Sequence, residues 1–463
     1  MLRTHSKKIN FFLGPILFLI LILIPIPDLS DAGQAVLACT AWVAFWWITE
    51  AVELPVASIL PIVIFPLSGA LTIEQTSISY GNPYIYLFLG GFIIGLTIEK
   101  WNLHKRIAYN IIRTVGSGEK RVILGFMIAT GFLSMWISNT ATAIMMLPIG
   151  VSVASHFGDR QPFSRNLLLG IGYAASIGGM ATLIGTPPNI ILAGIVKESM
   201  GIEISFLDWM LFATPFSIVL LLLSWFLLTR YKANAKAENI DEQLRDLGKM
   251  TTQEKRVLLV FSLVALMWIS RSFLLNRIIP TLDDTIIAVL GAVVMFIIPA
   301  GNGKGNLMDW KSARNLPWDI LLIFGAGLAI AKGFSNTDLT FWLAGHFSQL
   351  NFLPTAALFL IVIASINFLT EITSNTATAS MVLPLLITLG ISLKMDTLPL
   401  LAGSALAASC AFMLPVATPP NAIVFSSGKI KIRDMIMAGF KLNIISIILI
   451  FLFTQTVWRL IFG

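Results

Sequence analysis

Charge is scarce in this chain. Asp, Glu, Lys and Arg make up 12% of its 463 residues while 56% are hydrophobic, and the mean hydropathy is +0.85. A soluble domain carries about twice that share of charge. The longest polar stretch, Arg230 to Arg256, is under thirty residues, which excludes a sizeable soluble domain. Cysteine is nearly missing: Cys39 and Cys410 both sit in apolar runs, so there is no disulfide framework. Histidine is sparse too. His5, His104, His156 and His346 lie in or beside polar connections, which argues against an imidazole metal cluster or an intramembrane proton relay. The formal net charge of +7 is not read as a nucleic-acid footprint. In so apolar a chain, Lys and Arg set topology by the positive-inside rule.

What is present is a duplication. Ser138-Asn-Thr-Ala-Thr-Ala-Ile-Met-Met-Leu-Pro148 returns as Ser374-Asn-Thr-Ala-Thr-Ala-Ser-Met-Val-Leu-Pro384, identical at nine of eleven positions. Thr-Pro-Pro-Asn follows each copy, 48 and 44 residues after its first serine, at Thr186 to Asn189 and Thr418 to Asn421. A polar, helix-breaking pair repeated within apolar surroundings marks an internal repeat. At bilayer depth, irregular backbone must line a cavity or be buried in protein.

The apolar runs predict an all-α polytopic membrane protein. Its eleven spans fall at 11–27, 33–49, 52–70, 83–99, 167–196, 205–229, 257–275, 284–300, 317–333, 398–427 and 435–460. Two further blocks, 122–153 and 353–390, are too long for one crossing and too short for two plus a turn. Each is expected to be a re-entrant helical hairpin with Ser-Asn-Thr at its tip. Arg3, Lys7 and Lys8 precede the run Phe11 to Ile26 as in a signal peptide. That run is longer than a signal core and has no small-x-small cleavage site, so it reads as a retained first helix.

With the N-terminus inside and both hairpins returning to their own side, the inner segments hold 25 of the 31 Lys and Arg. The C-terminus then lies outside. Five spans separate the hairpins, an odd number, so they enter from opposite faces and the repeats have inverted topology. The first span is extra. The expected divisions are 1–121 (extra helix and first part of repeat 1), 122–229 (hairpin and broken helix), a cytoplasmic linker 230–256, 257–352, and 353–463.

Thr-Pro-Pro-Asn must interrupt a helix, because proline has no amide donor and clashes with the preceding turn. The break frees backbone carbonyls, which suit cations, and helix N-termini, which suit anions. Ser-Asn-Thr adds two hydroxyls and an amide and also has good N-cap chemistry. One helical turn earlier stand Ser134 and Thr370. Hydroxyl, amide and carbonyl oxygens form a hard-ligand set, for which Na⁺ is the natural small cation. The blocks 122–153, 167–196 and 398–428 contain no charged residue, and 353–390 contains only Glu371. A bound anion therefore meets no fixed cation there, and its charge must be offset by helix N-termini and co-bound cations. Glu371 itself is read as a tip-holding group bonded to nearby backbone, ahead of a role as a cation attractor. Glu50 and Glu53 are read as interfacial. Gly90, Gly91, Gly95, Gly325 and Gly327 are read as close-contact residues, and Met145, Met146, Trp42, Trp46 and Trp47 as packing and interface-belt residues.

With these motifs, the chain resembles the divalent anion:sodium symporter family, most closely its bacterial sodium/dicarboxylate members, over essentially its whole length. Leu133-Ser-Met-Trp-Ile-Ser-Asn-Thr140 and Leu369-Thr-Glu-Ile-Thr-Ser-Asn-Thr376 carry the likeness, with Gly185-Thr-Pro-Pro-Asn and Ala417-Thr-Pro-Pro-Asn behind them. The resemblance implies a homodimer in which a scaffold and a mobile transport domain work by an elevator movement. It implies one Na⁺ site from Ser134, Ser138, Asn139 and the Gly185 carbonyl, and another from Thr370, Ser374, Asn375 and the Ala417 carbonyl. Substrate carboxylates would be held by Asn139, Thr140, Asn375 and Thr376, with Thr186 and Thr418 nearby. The implied activity is Na⁺-coupled symport of C4-dicarboxylates, with no cofactor beyond the coupling ion. A sodium-independent exchanger and a sulfate or citrate symporter remain alternatives within the family. An intramembrane enzyme lacks a nucleophile–base set at depth, and a channel does not need two tips closing on one site.

Overall fold

The computed structural model describes residues 2–157, 161–231, 247–301 and 303–462. Among them the structure is helical throughout, apart from one isolated bridge between Pro299 and Asn306. Seven helices are long and apolar enough to cross a membrane: Asp31–Thr49, Ile73–Lys100, Phe206–Leu228, Thr252–Ile278, Trp318–Asn336, Asn375–Ser392 and Ile432–Ile461. Shorter apolar helices join them, among them Asp284–Ile297, Thr355–Leu369 and Thr397–Ser409. Their outer surfaces carry exposed Leu, Ile and Phe side chains, as a lipid-facing surface requires.

Both expected hairpins are present; the first is longer than hydropathy alone suggests, and the second is shifted by two residues at its expected length. The first runs up Glu119–Ser134, turns at 135–138 and returns along Asn139–His156. The second runs up Thr355–Leu369, turns at 370–374 and returns along Asn375–Ser392. The residues added to the first lie at its polar ends, which an apolar count leaves out. Both expected helix breaks are also present. Gln161–Gly179 stops and the chain resumes as Pro187–Met200; Thr397–Ser409 stops and resumes as Pro419–Phe425. In each case two prolines open the new helix, where their missing amides cost nothing.

Three features depart from the expected spans. The run 52–70 is not one helix but two short ones, Leu54–Ala57 and Leu60–Ser68; the break falls just before Pro61, which sits in the first turn of the second helix and cannot donate an amide back to the first. Segment 100–121, taken as a connection, contains the amphipathic helix Leu103–Val115, which buries Leu103, Ala108 and Ile112. A second unforeseen helix, Leu339–Phe347, precedes the second hairpin as Leu103–Val115 precedes the first. Most of the proposed linker, 232–246, lies outside the described residues.

The hairpins and broken helices pack directly on one another. Gln161–Gly179 packs against both arms of the first hairpin and against Pro419–Phe425 of the other break. Pro187–Met200 packs against Asn375–Ser392 of the second hairpin. Nearly every residue from Leu167 to Val196 is buried. Contact is at backbone level in places: a Cβ on Gly178 would lie 2.1 Å from the Gly131 carbonyl oxygen. Only glycine allows that approach.

Candidate functional site

Each tip is organised by one hydroxyl below it. Ser134 and Thr370 are fully buried. Ser134 Oγ donates to the Ala175 carbonyl at 2.6 Å, and Thr370 Oγ1 donates to the Ala408 carbonyl at 2.8 Å. Each also touches the asparagine that opens the returning arm: Asn139 at 2.7 Å and Asn375 at 2.8 Å. The Asn139 amide is ringed by oxygens. Oriented to satisfy them, Nδ2 donates to Ser134 Oγ (2.7 Å), Gly185 O (3.2 Å) and Ala175 O (3.2 Å). Ser138 is the N-cap, its hydroxyl accepting from the Ala141 amide at 3.2 Å. Ser374 occupies the N-cap of the second tip without a side-chain capping bond.

The two breaks are stapled alike. Asn189 and Asn421, the last residues of Thr-Pro-Pro-Asn, are completely buried. Asn189 Nδ2 donates to the carbonyls of Gly179 (3.2 Å), Met180 (3.1 Å) and Thr182 (2.7 Å). Asn421 Nδ2 donates to those of Ala411 and Leu414, both at 3.1 Å. In both halves, bonds reach ten and seven residues back. The asparagine thus ties the resumed helix to the chain that left the previous one. Thr186 and Thr418 precede their helices with matching extended backbone, at φ −144°, ψ 144° and φ −141°, ψ 149°.

Tips and breaks meet around one cavity of about 410 Å³. It is lined by Ser138, Asn139, Thr140, Gly185, Thr186, Ser374, Asn375, Thr376, Ala417 and Thr418. These are ten of the twelve residues singled out from sequence. The other two, Ser134 and Thr370, lie behind the wall and hold Asn139 and Asn375. The first turns of Asn139–His156, Asn375–Ser392 and Pro187–Met200 face the cavity, so helix N-termini with positive partial charge border it. Among the described residues, no Lys or Arg lines it. An adjoining cavity of about 670 Å³ shares Phe92, Ser138, Thr140 and Ile320 and extends past Glu99 and Lys100 to Ser312 and Asn315.

Sequence reasoning missed part of the wall. Glu50, read as interfacial, lines the cavity together with Asp319, Phe88, Phe92 and Ile323. Glu50 ends the Asp31–Thr49 helix in left-handed conformation, φ 47°, a tertiary feature with no local signature. The carboxylate of Glu371 holds backbone, as expected for a structural group. Its partners, however, are the amides of Phe412, Met413 and Leu414 in the second break rather than its own hairpin.

The comparisons agree with this architecture. The family model for the sodium:sulfate symporter transmembrane region matches residues 5–463. This chain belongs to that family. A sodium-dependent dicarboxylate transporter of Staphylococcus saprophyticus is 46% identical over 469 residues, covering 96% of this chain and 90% of the relative. The protein of the same name from Staphylococcus aureus USA300 is 45% identical over 483 residues, covering 99% and 93%. The YdaH transporter of Alcanivorax borkumensis shares the fold at a TM-score of 0.60 and 15% identity, over 85% of this chain and 87% of that one. Membership in the family makes the chain an integral membrane transporter and not an enzyme.

Proposed function

We propose that this family member is a secondary transporter that couples Na⁺ to uptake of C4-dicarboxylates such as succinate, fumarate or malate. The observation that carries the reading is the cavity itself: it is built by both tips and both breaks, and its wall has oxygen ligands and helix N-termini but, among the described residues, no fixed cation. A dianion placed there needs co-bound cations. The oxygens around Asn139 and their counterparts at Asn375 suit Na⁺. One cation would take Ser134, Ser138, Asn139 and the Gly185 carbonyl; the other would take Thr370, Ser374, Asn375 and the Ala417 carbonyl. Between them, Asn139, Thr140, Asn375 and Thr376 face the substrate carboxylates, with Thr186 and Thr418 beside them. The dicarboxylate transporters named among the relatives support the substrate class.

The helix order supports eleven crossings, counting each broken helix once and the first helix, Leu2–Leu23, as the extra one. The two repeats are inverted, the N-terminus is inside and the C-terminus outside. In this reading, 1–121 and 257–352 form the scaffold of a homodimer. Segments 122–229 and 353–463 move against it as an elevator, and 230–256 links the repeats on the cytoplasmic side. More than two Na⁺ per dianion would let a negative interior drive uptake by about 2.3 kcal/mol per net charge per 100 mV.

Uptake of labelled succinate into proteoliposomes tests this. Uptake with an inward Na⁺ gradient and none with choline is expected. Uptake without Na⁺ that requires internal dicarboxylate would make the protein an exchanger. No succinate uptake, with sulfate or citrate uptake in its place, would overturn the substrate class.

A further inference from the structure

Lys441 stands where a charge is costly. It lies in Ile432–Ile461, a helix long and apolar enough to cross the membrane. It is ten residues past the Lys431 N-cap, roughly 15 Å along the axis. Its neighbours at helical spacing, Met437, Ile444 and Ile448, are exposed apolar side chains, so Lys441 shares the lipid-facing stripe. Among the described residues it makes no ion pair. An ammonium so placed must snorkel or meet an anion. Beside it opens a cavity of about 190 Å³, between the start of Gln161–Gly179, the end of Phe206–Leu228 and the first half of Ile432–Gln455. Arg165, Arg230 and Lys441 line it against one acid, Asp434. Arg165 Nε donates to Asn166 Oδ1 at 3.0 Å, and Nη1 donates to Asp434 Oδ1 at 3.2 Å. Asn166 is buried, and its Nδ2 donates to the Leu228 carbonyl at 2.6 Å, which ties the first helix to the second. Asp434 is thus committed to Arg165, and Arg230 and Lys441 stay uncompensated. The Arg230 guanidinium lies over the exposed ring of Phe226, 5.1 Å from its centroid. The cavity therefore has cations within and lipid-facing side chains at its rim.

We propose that this cavity binds the headgroup phosphate of an anionic phospholipid, whose chains run along the exposed stripe of Ile432–Gln455. Phosphate chemistry follows from the donors, since guanidinium and ammonium groups converging on one cavity suit an oxyanion. The lipid source follows from the place. A soluble anion would neutralise the cations and leave the apolar rim bare, whereas a lipid covers both with one molecule. Basic pockets between membrane helices hold anionic headgroups in this way. The site shares no residue with the cavity at the hairpin tips. It needs only the membrane setting that family membership gives, and it stands whether or not uptake depends on Na⁺.

Thermal unfolding of the purified protein in a non-ionic detergent tests this, with phosphatidylglycerol, phosphatidylcholine or inorganic phosphate titrated in. Phosphatidylglycerol should raise the melting temperature of the wild type by several degrees, and the other two by much less. Arg230→Gln combined with Lys441→Gln should raise the phosphatidylglycerol concentration for half the effect on the order of tenfold or more. The lipid-free melting temperature should stay close to that of wild type. Lys441→Gln alone should shift the curve several-fold, which keeps the test open if the double variant does not fold. Lys441→Arg, which keeps the charge, should follow wild type, as should Lys311→Gln, which removes an exposed lysine outside the cavity. Three outcomes overturn the proposal. An unshifted double variant would place the lipid elsewhere. An equal loss in Lys311→Gln would reduce the effect to general surface attraction. Equal protection by inorganic phosphate would make this a site for a soluble anion.

Discussion

The hairpins with their broken helices and the helices around them solve the polar-group problem in opposite ways. Inside, polarity comes from hydroxyls, amides and freed backbone, with Glu371 the lone acid in the four motif-bearing blocks. Outside, charges appear in pairs near helix ends: Lys100 with Asp309, Arg106 with Glu254, and Arg271 with Asp284 and Glu203, while Lys332 reaches across to Glu198 near the far end of a broken helix. A core that must hold a transient charge cannot carry many permanent ones, since each would bind or repel the cargo at every step. A surround that need only hold its shape can use fixed pairs. Substitutions in the core should therefore change transport and leave folding nearly intact, whereas substitutions in the surround should do the reverse.

The largest effect is expected at the tips. Asn139→Ala and Asn375→Ala each remove an amide that lines the cavity and bonds a buried hydroxyl. Uptake should fall on the order of a hundredfold, the equivalent of about 2.7 kcal/mol, with the melting temperature within a few degrees of wild type. Normal uptake by either variant would break the comparison on its inner side.

Next comes Arg271. The residue is 5% exposed, and its guanidinium donates to Glu203 at 2.8 Å and to Asp284 Oδ2 at 3.2 Å and makes a further ionic contact with Asp284 Oδ1 at 2.7 Å. Arg271→Met strands the buried Asp284 charge and should cost about 3–5 kcal/mol of stability, whereas Arg271→Met with Asp284→Leu should recover most of it. Thermal unfolding in detergent reads both. The Na⁺ half-saturation of residual uptake should not move.

Much of the inner region was legible because its chemistry is local. Ser138-Asn139-Thr140, Ser374-Asn375-Thr376 and the two Thr-Pro-Pro-Asn breaks are anomalous wherever they stand in apolar sequence. Their duplication says that they meet. The surround was less legible. Prolines 55, 61 and 66 lie in a run whose mean hydropathy still reads as one span. Leu103–Val115 is amphipathic, so averaging over a window hides it. The partners of Glu371 are 41 to 72 residues away, and Arg271 meets Glu203 from 68 residues away. No periodicity encodes such pairings; only the folded packing brings them together.

The staple asparagines sharpen the comparison at smaller magnitude. Asn189→Ala frees three buried carbonyls and Asn421→Ala frees two. Each should cost about 1–3 kcal/mol and lower uptake several-fold through a loosened break. Equal losses in stability and transport would show that the breaks belong to the fold as much as to the site.

The smallest effect is expected at the Lys100–Asp309 pair, which lies at the margin with side chains 25% and 50% exposed. The Lys100 ammonium, helped by the Ser312 amide, lowers the Asp309 carboxyl from 3.8 to about 2. A carboxyl depressed on folding adds stability above its unfolded value and loses it as pH falls through the folded one. The contribution should thus be complete above about pH 4 and fade towards pH 2. Because the pair is open to solvent, its worth is under about 1 kcal/mol. Asp309→Asn should lower the melting temperature by no more than a degree or two at neutral pH, and the difference from wild type should close on acidification. A large loss at neutral pH would place Asp309 with the buried charges and move the boundary between the two regions outward.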